Sequence, residues 1–188
     1  VERLMDVRIR LGMMEDYPSP YANIPYDVVE CPEHIALSLE ASKRSMVLRK
    51  NDNHFLPLKQ EQVHTIAVIG PNANSRAALV GNYEGTSSRY ITPLEGIQEY
   101  TGEKTRVLYA QGCHLYKDQV LKLPGLQQEL LEAVAAVGKP IVLTVLAGSA
   151  LDLSWAQEHA QIRAILDCWY PGARGGKAIA EALFGEFS

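Results

Sequence analysis

Apolar and polar positions change period several times along this chain, and each change predicts an element. Over residues 1–15, Leu4, Val7, Ile9, Leu11, Met13 and Met14 alternate with charged neighbours and line one side of a short helix. Tyr17-Pro18-Ser19-Pro20-Tyr21 and Pro25 then predict an extended, proline-stiffened linker. Pro32 followed by Glu33 marks a helix start, and Ile35, Leu37, Leu39 and Ala41 carry an apolar stripe to about Met46. Val47 and Leu48 predict a short extended segment that ends at the turn residues Asn51-Asp52-Asn53.

Beyond that point strands and helices alternate. Short β-branched runs predict strands over 65–70, 105–110, 141–146 and 162–167. Helical spacing predicts helices over 93–101, 125–137, 152–160 and 175–184, the second marked by Leu126, Leu130, Leu131, Val134 and Val137. Gly138-Lys139-Pro140 stops that helix before the next strand. The pattern predicts an α/β fold: an open, mostly parallel sheet with helices on both faces, an α/β sandwich preceded by the short helix and Pro-rich linker. The division expected is 1–31 for the helix and linker and 32–188 for the sandwich. One connection is compressed: the strand 105–110 runs through Gly112-Cys113-His114 and reaches Leu123-Pro124-Gly125 almost at once.

Composition narrows the function classes. The formal net charge is −4 with no Lys/Arg stripe, which argues against nucleic acid and anionic membrane surfaces as partners. No apolar run approaches the roughly 20 residues of a bilayer span. Cys31, Cys113 and Cys168 are odd in number and far apart, so they read as free thiols and fit a reducing, cytoplasmic compartment. The five histidines form no metal-ligating pair, and no metal or cofactor is expected.

Candidate chemistry gathers at two places. The loop Gly81-Asn82-Tyr83-Glu84-Gly85-Thr86-Ser87-Ser88 offers hydroxyl, amide and aromatic groups for a ligand, and Asn82, Tyr83, Glu84, Thr86 and Ser87 are its candidate binding residues. Glu84 has no neighbours that would raise its pKa towards that of a general acid. Trp169 and Tyr170 close a strand, where ligands collect in open α/β sheets. Trp155, beside Leu151 and Leu153, reads as packing. Gly172-Ala173-Arg174-Gly175-Gly176-Lys177 lacks the Ser or Thr after Lys that a P-loop needs, so helix-start glycines explain it better. No GxSxG surrounds Ser45, Ser149 or Ser154.

The order of several short motifs resembles one family. Arg8-Ile9-Arg10-Leu11-Gly12-Met13 is similar to the last barrel helix of glycoside hydrolase family 3. Ala41-Ser42-Lys43-Arg44-Ser45 with Leu56-Pro57-Leu58, Ala67-Val68-Ile69-Gly70-Pro71-Asn72-Ala73, Gly81-Asn82-Tyr83-Glu84-Gly85 and Thr92-Pro93-Leu94-Glu95-Gly96-Ile97 resemble successive landmarks of its second domain. Leu123-Pro124-Gly125, Asp167-Cys168-Trp169-Tyr170-Pro171-Gly172 and Ala182-Leu183-Phe184-Gly185 resemble later ones. The resemblance implies part of a retaining exo-β-glycosidase, a β-glucosidase or β-xylosidase, acting on β-linked oligosaccharides or glycosides with a barrel domain as its partner. Such chemistry uses two carboxylates about 5 Å apart. In the family the nucleophilic Asp lies on the barrel and the acid/base Glu on a second-domain loop between the Gly-Cys and Leu-Pro-Gly landmarks. The resemblance thus implies that a βα unit is missing near 113–123, that the family sequence continues past Gly185, and that this chain carries no catalytic residue. Two other readings stand beside it: a non-catalytic carbohydrate-binding or docking module, and a flavodoxin-like nucleotide domain, which the absent phosphate-loop glycines oppose.

Overall fold

The computed structural model describes residues 1–14, 19, 21–83, 85–115 and 122–187, arranged as two compact units, 1–34 and 35–188. In the first unit, α1 (Glu2–Arg10) buries none of its residues and leaves Leu4, Val7 and Leu11 exposed. Its charged side carries an i,i+4 ion pair between Arg10 and Asp6, which stabilises a surface helix by a few tenths of a kcal/mol, about 0.3.

The second unit contains α2 (Pro32–Ser45) from Ile35 onward, β1 (Val47–Asn51), β2 (Thr65–Ile69), α3 (Arg76–Val80), α4 (Pro93–Thr101), β3 (Arg106–Ala110), α5 (Gln127–Ala136), β4 (Ile141–Val145), α6 (Ser154–Glu158), β5 (Ile162–Asp167) and α7 (Gly175–Phe184). The α/β class read from the sequence holds, and four strands fall within a residue of their expected bounds. The short helix α3 was not foreseen: five residues are too few to show a period, and Ser75 fixes its start by accepting a hydrogen bond from the Ala78 amide.

The sheet is divided. β1, β5 and β4 form one sheet in that order, while β2 and β3 form another. The β2–β3 and β4–β5 ladders are parallel, and β1 runs antiparallel to β5. Both sheets nevertheless share a core. Ile66, Val68, Val107 and Val142 pack against a cluster that includes Ala164, Leu166, Ile97, Ile179 and Leu183. The opposite face of β4 and β5 is covered by Leu131 of α5 and Ala156 of α6. Ile162 and Ile165 are fully buried, each contributing about 1.5–3 kcal/mol by removal from water.

Helices α4 and α7 meet through glycine. Thr92 caps α4, accepting from the Glu95 amide at 3.3 Å while Glu95 accepts from the Thr92 amide at 2.8 Å. A Cβ on Gly96 would lie 2.0 Å from the Gly176 carbonyl oxygen, and one on Gly176 would lie 1.9 Å from the Thr92 carbonyl oxygen. Close helix approach therefore explains the glycine at 176. Lys50 of β1 adds a further tie, donating to the carbonyls of Gln157 at 2.8 Å and His159 at 3.2 Å at the end of α6.

Candidate functional site

The two sets of residues singled out by sequence meet at the carboxyl end of β5. The chain leaves β5 through Cys168 into Trp169, whose φ of 54° is unusual for a bulky side chain and costs about 1–3 kcal/mol. Strain of that kind persists where its surroundings over-determine it. The next residue supplies the constraint. The Tyr170 ring fills the space that a Cβ would occupy on both Gly81 and Gly148, with ring carbons 2.5 and 2.4 Å from those positions. Gly81 also has a φ of +58°, a conformation that glycine adopts without penalty. Tyr170 is thus lodged against the backbone at the head of the 81–88 loop.

Backbone hydrogen bonds fix both ends of that loop to the segment after β5. The Gly172 amide donates to Leu79 at 2.8 Å, and the Ile91 amide donates to Ala173 at 2.8 Å. Ser42 of α2 donates its hydroxyl to the Pro171 carbonyl. Within the loop, the Tyr90 hydroxyl donates to the Gly85 carbonyl at 2.8 Å and accepts from the Ser87 amide at 3.1 Å. Ser87 Oγ donates to the Arg89 carbonyl at 3.1 Å, so this hydroxyl is already engaged within the loop. Asn82 and Thr86 are exposed, and Tyr83 is 81% exposed, a large aromatic face held out towards solvent. Trp169 and Tyr170 are 38% and 37% exposed. Glu84 lies outside the described residues.

A hollow opens beyond the ends of β2 and β3, bordered by Pro71, Asn74, Arg76, Glu95, Tyr109 and Gln111. Sequence reasoning named none of these as site residues, although a hollow at strand carboxyl ends is where an open sheet offers one. Among the described residues its one carboxylate is Glu95, which is committed to the α4 capping box. Thr92 ties the wall of this hollow together by donating to Asn74 Oδ1 at 3.1 Å.

Among the described residues, three further acids also have structural partners. Asp167, buried at the end of β5, faces Arg49 at 3.8 Å. Glu181 pairs with Lys43 and, at 3.9 Å, with Lys177. Asp152 accepts from the Ser154 hydroxyl and amide, and these bonds hold its carboxyl below the usual range. Burial, then the neighbouring Asp167 charge, pushes the Cys168 thiol well above the usual range and leaves it inert. Among the described residues, no group of three His, Cys, Asp or Glu side chains is placed to hold a metal ion, and no helix is long and apolar enough to cross a membrane. Among the described residues, the arrangement offers hydrogen-bonding groups and aromatic faces rather than a proton-transfer pair.

Comparison with known proteins identifies the family and the fold. The chain is 36% identical to probable β-D-xylosidase 7 of Arabidopsis thaliana, a match that covers 97% of the chain and 28% of that protein. It is 34% identical to β-xylosidase/α-L-arabinofuranosidase 1 of Medicago sativa subsp. varia, covering 96% of the chain and again 28% of the relative. Among solved structures, a GH3 exo-β-xylosidase in complex with a xylobiose aziridine activity-based probe superposes with a TM-score of 0.84 at 27% identity, over 98% of this chain and 28% of that one. The chain therefore spans less than a third of the length of these relatives. Residues 46–188 match the glycosyl hydrolase family 3 C-terminal domain, and the chain belongs to that family.

Proposed function

We propose that this chain forms one wall of the sugar cleft in a retaining exo-acting β-glycosidase, and that β-xylosides are its favoured substrates, ahead of β-glucosides. The observation that carries the reading is the seating of Tyr170 against Gly81 and Gly148. That contact draws together the 82–87 loop and Trp169–Tyr170, which are far apart in sequence. Asn82, Tyr83, Glu84 and Thr86 supply polar groups for sugar hydroxyls, with Ser87 beside them, while Trp169 and Tyr170 present ring faces to C–H surfaces. The names of the Arabidopsis and Medicago relatives support xylosides.

Hydrolysis with retention takes two carboxylates about 5–5.5 Å apart. We assign both to polypeptide outside this chain's described residues, with a barrel domain as the partner that closes the other side of the cleft. The bare apolar side of α1 supports such a partner. By itself the chain binds sugar weakly and does not turn it over.

Tryptophan fluorescence tests the binding wall. Trp155 is stacked on His159 with ring centroids 4.5 Å apart, leaving Trp169 as the exposed reporter. Titration with xylose or xylobiose should give a saturable change with an affinity of about millimolar. The change should vanish in Trp169→Phe. No saturable response, or an identical one in Trp169→Phe, would remove this wall from the sugar site.

A further inference from the structure

We propose that Tyr90 is a positioning residue of the binding wall: its hydroxyl holds the 81–88 loop in the shape that presents Tyr83 and Thr86 to a sugar. The proposal rests on the sugar-wall reading above and adds a residue that acts through the loop. This loop needs such a device. Asn82, Tyr83, Gly85 and Thr86 are all exposed. Among the described residues, nothing lies within 4 Å of the place that a Cβ would take on Gly85. Packing therefore does not hold this stretch, and ordering a free segment costs conformational entropy. Hydrogen bonds have to supply the order.

Tyr90 makes the cross-ties. Its hydroxyl donates to the Gly85 carbonyl at 2.8 Å, five residues back, and accepts from the Ser87 amide at 3.1 Å, three residues back. Gly85 in turn donates its amide to the Tyr83 carbonyl at 3.1 Å. The Tyr83 amide donates to the Val80 carbonyl at 3.0 Å, at the end of α3. Tyr83 is thus tied on one side to a helix and on the other, through Gly85, to Tyr90. A tyrosine hydroxyl has one proton to give. Here that proton goes to Gly85, so the hydroxyl affects a sugar through the loop and not by a bond donated to it.

A group that fixes a loop must itself be fixed, and both neighbours of Tyr90 are. Arg89 pairs with Glu99 of α4. Ile91, 5% exposed, donates its amide to Ala173 at 2.8 Å and accepts from the Gly176 amide at 2.9 Å. Thr92 follows as the buried cap of α4. The loop is therefore fastened to the segment 173–176, just after Trp169 and Tyr170 in the chain. Both parts of the proposed wall share one anchor.

The test compares the 188-residue chain with Tyr90→Phe, which keeps the ring and removes only the hydroxyl. Affinity falls in proportion to the fraction of molecules whose loop has the binding shape. Xylobiose, read by Trp169 fluorescence, should need an about tenfold higher concentration for half-saturation in Tyr90→Phe, yet reach the same final amplitude. The Ser87 amide should exchange with deuterium about tenfold faster. The urea midpoint should stay close to that of the unaltered chain, because the lost bonds lie in a surface loop outside the core. An unchanged half-saturation, or an unchanged Ser87 exchange rate, would overturn the proposal. So would a weakened affinity matched by a large fall in the urea midpoint, the mark of a general loss of structure. If the unaltered chain gives no sugar response, the sugar reading falls by itself. Ser87 exchange then decides whether Tyr90 orders the loop, a faster rate upholding it and an unchanged rate overturning it.

Discussion

At the residue scale, the structure assigns polar groups to partners that sequence could name only by type. Tyr100 is the clearest case. Its hydroxyl donates to Glu186 at 2.6 Å while its ring stacks on Phe184 at 4.5 Å. That hydrogen bond, then burial, pushes its pKa from 10.0 up to about 12. A raised folded-state value means that the interaction is fully present below pH 10.0 and is lost as pH rises through about 12. Absorbance titration at high pH should show a late phenolate step that disappears in Tyr100→Phe and moves down in Glu186→Gln. A titration unchanged by either substitution would contradict the assignment. Trp169 and Tyr170 were legible as candidates because strand ends collect ligands. The seating of Tyr170 was not, because it depends on Gly148, which lies beyond any local window of the sequence. Gly148 reads in sequence as an ordinary loop glycine.

At the scale of elements, periodicity found what local forces determine. The strands 65–69 and 162–167 were visible as β-branched runs, and α4 was visible through the Thr92, Pro93 and Glu95 start signal. The glycines of α7 carried a second message that needed the structure. Gly176 faces the α4 backbone, so the pair of helices depends on having no side chain at this crossing. Gly96→Ala gains about 1 kcal/mol of helix propensity. It also places a methyl 2.0 Å from a backbone oxygen that cannot rotate away. Overpacking of this kind costs about 1–3 kcal/mol, so the net effect is destabilising. The urea midpoint of Gly96→Ala should fall. An unchanged or raised midpoint would mean that α4 and α7 are not locked at this point.

At the scale of the whole molecule, the compressed step from β3 to α5 was readable as a short connection, but its consequence was not. Periodicity assigns strands one at a time and says nothing about which edges pair. Only the structure shows β2 and β4 packed on one core with, among the described residues, no ladder between them. The same scale governs chemistry. Among the described residues, the acids nearest the proposed sugar wall are engaged as a cap or an ion pair, Glu95 to Thr92 and Asp167 to Arg49. In the proposed reading this wall positions a sugar, and the described residues beside it place no pair of free carboxylates there. The most direct measurement is release of nitrophenol from 4-nitrophenyl β-D-xyloside and β-D-glucoside by the purified 188-residue chain. The account predicts no turnover above that of buffer, and sustained release proportional to protein concentration would contradict it.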